Sequence, residues 1–311
     1  MPSPEARPPH APGALNSRLR VLAAAALFSS GGAAIKATHL TAWQVASFRS
    51  GVATLAFLLL LPETRRRPPA RVLAVGLVYA ATMILFVQAN KLTTAASAIF
   101  PQATAPLWVV LLSPWLLRER IRGRDIVYMA VLAVGLACFF VGIDPASATA
   151  PNPLLGNLFA SLSGLTWALT IMGLRSLGRT PGADGVSWGP ASALWGSIFA
   201  CLACLPMALP VGPSTATDWL VVGYLGVFQI AVAYAFLLRG LERVPAVEAS
   251  LLLLLEPVLN PVWAWIVHGE RPGAWSLTGG AILLLATAVK TWVDARQEPS
   301  PLAPLPRVGE G

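Results

Sequence analysis

The sequence predicts an all-α integral membrane protein of ten transmembrane helices, arranged as two five-helix repeats of opposite orientation. Three observations predict it. The 311 residues are 56% hydrophobic and only 12% charged, with a mean hydropathy of +0.66, whereas soluble domains carry roughly 25% charged residues. The apolar residues gather into runs near the ~20 needed to cross a bilayer, not into the amphipathic periods of a soluble core. Finally, the two halves of the chain repeat one another.

Taken in order, the runs fall at 21–37, 43–61, 72–89, 94–117, 125–141, 154–174, 188–209, 219–238, 245–267 and 274–293. The first is the most polar, with Ser29, Ser30, Gly31, Gly32 and Lys36 inside it. Arg18 and Arg20 ahead of it imitate a signal peptide, but the matching run in the second half makes it a span. Residues 1–20 and 295–311 are rich in proline and read as disordered tails. The domains expected are thus a first repeat over 21–143 and a second over 154–294.

Orientation follows from the basic residues. With the N-terminus in the cytoplasm, 18 of the 22 lysines and arginines fall on the inner side. Lys36, Lys91 and Arg271 fall outside, and Arg49 lies within a span. That bias places both termini in the cytoplasm and the chain in the cytoplasmic membrane as a multi-pass protein. The same distribution removes nucleic acid as the reason for a formal charge of +8, because the cations cluster between apolar runs instead of forming a basic stripe.

Over spans four and five the duplication shows without gaps. A shift of 151 residues lays Ala98, Pro106, Glu119 and Ala137 on Ala249, Pro257, Glu270 and Ala288, matching spans four and five to nine and ten. A shift of 139 lays Phe28 and Lys36 on Trp167 and Arg175, matching span one to span six. Five is odd, so the second repeat must run inverted through the membrane. Inverted repeats with a site at their interface are a transporter signature.

These residues carry a resemblance. The stretch LLLLLEPVLNPVWAWIVHGE (251–270), Arg49 in ASFRSGVATLAFLLL and the aromatic-then-basic pattern of spans one and six resemble the EamA-like branch of the drug/metabolite transporter superfamily. The resemblance covers 21–293 and implies a ten-helix exporter, less often importer, that uses no ATP and no cofactor. Two positions depart from the pattern: Phe28, where the family more often has Trp followed by Gly, and Ala105, which stands opposite Glu256 in the duplication.

Ionisable groups at mid-membrane cost ~2.5–3.5 kcal/mol on insertion scales, so each is a candidate for function. Glu256 lies 11 residues from either end of span nine. Desolvation there favours the neutral form, so the side chain suits proton coupling or an amine; the alternative is a neutral acid bonded to a neighbouring helix or to backbone freed by Pro257. Asn260 follows one turn later on the same face. Pro257 and Pro261 free carbonyls, and Pro101, Pro106 and Gln102 repeat the arrangement in span four. Unpaired carbonyls at that depth face protein or a watery cavity.

Arg49, six residues inside span two, suits a carboxylate or phosphate through its fork of donors; otherwise it snorkels outward or holds a backbone carbonyl. Gln229 and Tyr234 are expected to line the cavity, and Trp167, Trp263 and Trp265 either shape it or serve in the interface belt or in packing. Glu119 and Glu270 stand beside arginines and read as interfacial ion pairs. Ser192, Gly196, Ala200 and Cys204 form a stripe of small residues for close packing.

The partners expected are a small-molecule substrate, the bilayer and, through Glu256, protons; a homodimer stays open. No metal site is expected: Cys201 and Cys204 lack a second pair, and His10, His39 and His268 have no ligand spacing. An enzyme would need a nucleophile with its base at membrane depth, and a pump a phosphate-binding loop. A membrane-embedded enzyme or a receptor or scaffold without transport stays open as the alternative, although inverted halves have no obvious purpose in a receptor.

Overall fold

The computed structural model describes residues 12–116, 123–143, 145–178, 187–241, 243–244 and 246–297. The outermost tail residues, Glu119, Pro245 and several inner-side arginines (Arg7, Arg118, Arg120, Arg122, Arg179 and Arg307) lie outside them.

Among the described residues, ten helices are long and apolar enough to cross a membrane. Spans one to five are Leu15–Lys36, Ala42–Leu60, Ala70–Leu92, Ala95–Leu116 and Gly123–Val141. Spans six to ten are Pro153–Gly178, Gly189–Ala208, Ala216–Leu241, Glu248–His268 and Ala274–Asp294. The first helix starts at Pro12, earlier than the end of the expected tail at residue 20, because proline suits the first helical turn and Arg18 is anchored by an ion pair to Glu248. The last helix likewise runs on to Gln297.

Polarity is arranged for lipid. Large apolar side chains such as Leu59, Trp115 and Leu220 point outward, while Arg49, Asn90, Asn157, Ser163 and Asn260 are buried. In water that arrangement would be costly; in a bilayer the outer face meets hydrocarbon and the polar groups are kept inside.

Span three packs on spans six and seven, and span eight on spans one and two. Span two lies on span seven, span five on span ten, span four on span six and span nine on span one. The small-residue stripe explains one of these contacts. A methyl group at Gly196 would stand 2.4 Å from the Tyr79 ring and 2.8 Å from the Gly76 carbonyl, so spans three and seven approach backbone to backbone.

Four spans are interrupted. Span four stops at Gln102 and resumes at Ala105, since Pro106 has no N–H to give the Gln102 carbonyl and disfavours helix in the residue before it. Span nine breaks at Leu254, three residues before Pro257. Ala103 and Leu254, the centres of the two breaks, are 151 residues apart, the shift of the duplication. Span one breaks at Ser30, and span eight widens into a π-helical segment over Leu225–Val232.

With ten spans, Pro12 and Gln297 lie at one end of the bundle. At the other, which we call the far end, Thr41, Thr94 and Thr215 cap spans two, four and eight by accepting from the amides of Gln44, Ser97 and Asp218.

Candidate functional site

The four interruptions surround one cavity of about 200 Å³. Phe28 reaches it from span one, Arg49 from span two, Gln102 from span four, Trp167 from span six, Gln229 and Tyr234 from span eight, and Glu256 and Pro257 from span nine. Tyr79, Thr82, Met83 and Phe86 of span three complete the wall. Six of the seven polar and aromatic candidates read from the sequence therefore meet in one place, drawn from both halves of the chain.

Asn260 does not join them. It is fully buried and turned toward span one, where a methyl group on Gly32 would stand 2.5 Å from its Oδ1 and 2.9 Å from that of Asn90. Asn260 follows Glu256 by one turn in the same unbroken segment, but the close contact with Gly32 commits its side chain to a helix interface. Pro106 and Pro261 also lie outside the cavity wall; Pro257 belongs to it. Trp263 donates from its indole to the Ser29 hydroxyl at 2.9 Å, and Trp265 is exposed.

Arg49 does not snorkel. It is 1% exposed and donates from Nη2 to the Met83 carbonyl at 3.1 Å, while its Nε has no acceptor among the described residues. Glu256 is half-buried and, among the described residues, has neither a hydrogen bond nor an ion pair. Gln229 sits in the π-helical segment, a form that often marks functional positions. Its amide nitrogen stands 3.5 Å from the Phe28 carbonyl and its Oε1 has no donor. Gln102 donates to the Ser163 hydroxyl at 2.6 Å. Two rings of the wall are braced from behind or beside: Tyr234 by Phe57 at 5.8 Å between centroids and Tyr79 by Trp167 at 6.4 Å.

The far end holds a feature that the sequence reading missed. Glu270, expected to pair at the interface with a neighbouring arginine, instead forms a buried ion pair with Lys36 at 2.8 Å, each side chain 3% exposed. Gly269 makes this geometry by ending span nine in the left-handed region at φ 66°, which glycine adopts without penalty. Glu270 also accepts from the Ala95 amide at 2.8 Å, and Lys36 donates to the carbonyls of Thr93 and Thr149. Spans one, four and nine and the connection before span six thus meet on two side chains. Lys91 donates to the Thr38 carbonyl at 2.7 Å nearby. The signal in the sequence was the intramembrane position of Lys36 together with the match of Glu119 to Glu270, but nothing in it joined residues 234 positions apart.

The family model for EamA-like transporters matches residues 18–141 and again 154–292, one match for each half. A transporter of uncharacterized function from Clostridium kluyveri is 27% identical over 184 residues, 57% of either chain; the match thus spans little more than half of that relative's length. One from Archaeoglobus fulgidus is 25% identical over 239 residues, 75% of this chain and 82% of its own. The pseudopaline exporter CntI of Pseudomonas aeruginosa is 24% identical over 253 residues, 79% of this chain and 85% of its own. A solved structure with 21% identity superposes over 91% of this chain and 99% of its own with a TM-score of 0.59, a likeness of fold. Matched in both of its halves, this multi-pass membrane protein belongs to the EamA-like transporter family.

Proposed function

We propose that the chain is a secondary transporter that exports a small metabolite by alternating access, with its termini in the cytoplasm and Glu256 as the group that couples transport to protons. One observation carries this reading: the cavity is built from both halves of the chain and holds, inside the apolar slab, a carboxyl with no partner among the described residues. An intramembrane carboxyl is costly to keep, and a structural role would have given it a bond.

Packing supports rocking of one half against the other. Contacts between the halves come in exchanged pairs: span three on six with span eight on one, span four on six with span nine on one, and span three on seven with span eight on two. Such a pattern suits two five-span units related by a pseudo-twofold axis, for which an odd span count requires inversion. Leu237 and Leu253 line the cavity toward the terminal end, while the Lys36–Glu270 pair ties the far end. We read this conformation as closed on the far, extracellular side. Export as the direction agrees with the name of the Pseudomonas relative. Both walls belong to one chain, so the unit is complete in one copy whether or not two associate.

The test is transport in proteoliposomes with an imposed pH gradient, run against a broad panel of metabolites and amines. Gradient-driven movement of at least one compound is expected, and Glu256→Gln is expected to abolish the gradient dependence. Unchanged rates in the variant remove the proton role, and an empty panel under every gradient removes the transporter reading.

A further inference from the structure

A second hollow of about 230 Å³ lies on the lipid-facing side of the bundle, walled by Val52, Leu55, Ala56, Leu59 and Leu60 of span two with Val227 of span eight. None of these residues lines the central cavity, and Leu55 and Leu59 are exposed. The groove has a packing cause. At mid-slab the two spans touch backbone to backbone: a methyl group at Gly226 would stand 2.6 Å from Val52 and 2.7 Å from the Arg49 carbonyl. Toward the terminal end, span eight turns to span one, on which its last segment Ala233–Leu241 packs, and space opens beside span two. From Val52 to Leu60 the groove runs about 12 Å at the helical rise per residue. That is close to the ~15 Å depth of hydrocarbon in one leaflet.

The terminal end of the groove is basic. Pro62 has no N–H to give the Leu58 carbonyl. Arg65 folds back from the helical turn Pro62–Arg65 and donates to that carbonyl from Nε at 2.9 Å and from Nη2 at 2.6 Å. These bonds hold an exposed guanidinium beside the wall residues Leu59 and Leu60, and its other N–H groups remain as donors. Arg66, Arg67 and Arg71 follow, and Glu63 is the single acid between Leu61 and Arg71.

We infer that the groove and Arg65 form a binding site for an anionic phospholipid of the terminal-end leaflet. One acyl chain lies in the groove, and the phosphate meets Arg65, whose planar fork suits it. The groove alone selects little, because the surrounding lipid tails are as apolar as its walls. Selection comes from the headgroup: each arginine near the surface favours an anionic over a neutral lipid by about fivefold. The chain also lies against Val227, in the π-helical segment that carries Gln229, so an occupied groove braces one wall of the central cavity. The site stands whatever that cavity carries.

Native mass spectrometry of the full chain in detergent provides the test, with phosphatidylglycerol and phosphatidylcholine of identical acyl chains as probes. The parent chain is expected to bind the first at least about fivefold more tightly, and to gain more melting temperature from it. Arg65→Gln, whose amide can still donate to the Leu58 carbonyl, is expected to lose that preference. Val227→Phe fills the groove, leaves the arginine in place and is expected to weaken phosphatidylglycerol binding as well. Arg124→Gln, at the terminal end of span five, is expected to change neither. Equal binding of the two lipids by the parent chain overturns the inference, whatever the variants do. So does undiminished phosphatidylglycerol binding in folded Arg65→Gln or Val227→Phe, folding being checked by elution profile. A loss in Arg124→Gln equal to that in Arg65→Gln would mean general attraction to a basic surface, and would overturn the site too.

Discussion

At the residue scale, Arg49 combines two tasks that substitution can separate. Its Nη2 holds the Met83 carbonyl in the middle of span three, and its charge faces the cavity. Lysine keeps the charge but loses the planar fork. Arg49→Lys is therefore expected to fold, with an unchanged elution profile in detergent, and to transport at least about tenfold more slowly. Arg49→Met is expected to lose thermal stability as well, because the Met83 carbonyl gives up its donor. Equal transport by Arg49→Lys and the parent chain would remove the guanidinium from the site. Asn260 makes a different kind of prediction. Its contact with Gly32 is so close that Gly32→Ala overpacks the joint between spans one and nine, and a loss of about 1–3 kcal/mol is expected, read as a lower melting temperature. No change in melting would mean that the joint has room.

At the element scale, the spans and two of their breaks were legible, for different reasons. Hydropathy finds helices because each must hide its own backbone in lipid, and proline marks the breaks of spans four and nine because it lacks the amide. The break at Ser30 and the π-helical segment around Gln229 had no such marker: they depend on how span one meets spans eight and nine. Glu256 and Arg49 stood out as ionisable residues at depth, and the duplication predicted a shared cavity. Asn260 shares the unbroken segment of Glu256, but its packing against Gly32 of span one depends on a contact that helical periodicity does not reveal. Lys36 and Glu270 were missed as a pair because contact across 234 residues is set by packing alone. Packing of elements also yields a prediction remote from the cavity's charges. Gly196→Val puts its first carbon 2.4 Å from the Tyr79 ring, which forces spans three and seven apart and displaces a ring that lines the cavity. Lowered melting together with weakened substrate binding is expected; lowered melting with intact binding would show that Tyr79 tolerates the shift.

At the scale of the whole molecule, the Lys36–Glu270 pair joins spans one, four and nine at the far end. A buried ion pair gives up much of its attraction to desolvation, and removing one partner costs about 3–5 kcal/mol whereas removing both can be neutral. Lys36→Met alone leaves a buried carboxylate, so its melting temperature is expected to fall clearly. Adding Glu270→Gln removes that charge while keeping an acceptor for the Ala95 amide, and stability is expected to return. If the pair is a latch, the double variant melts like the parent chain yet opens more often. A reporter cysteine at Ile99, which lines the cavity on span four, measures that opening once Cys138, Cys201 and Cys204 are replaced. An impermeant thiol reagent applied from the far side is expected to modify the reporter faster in the double variant than in the chain with the pair intact. Equal modification rates would make the pair a static tie between spans one, four and nine, and closure of that end would then rest on the surrounding contacts, such as Lys91 on Thr38.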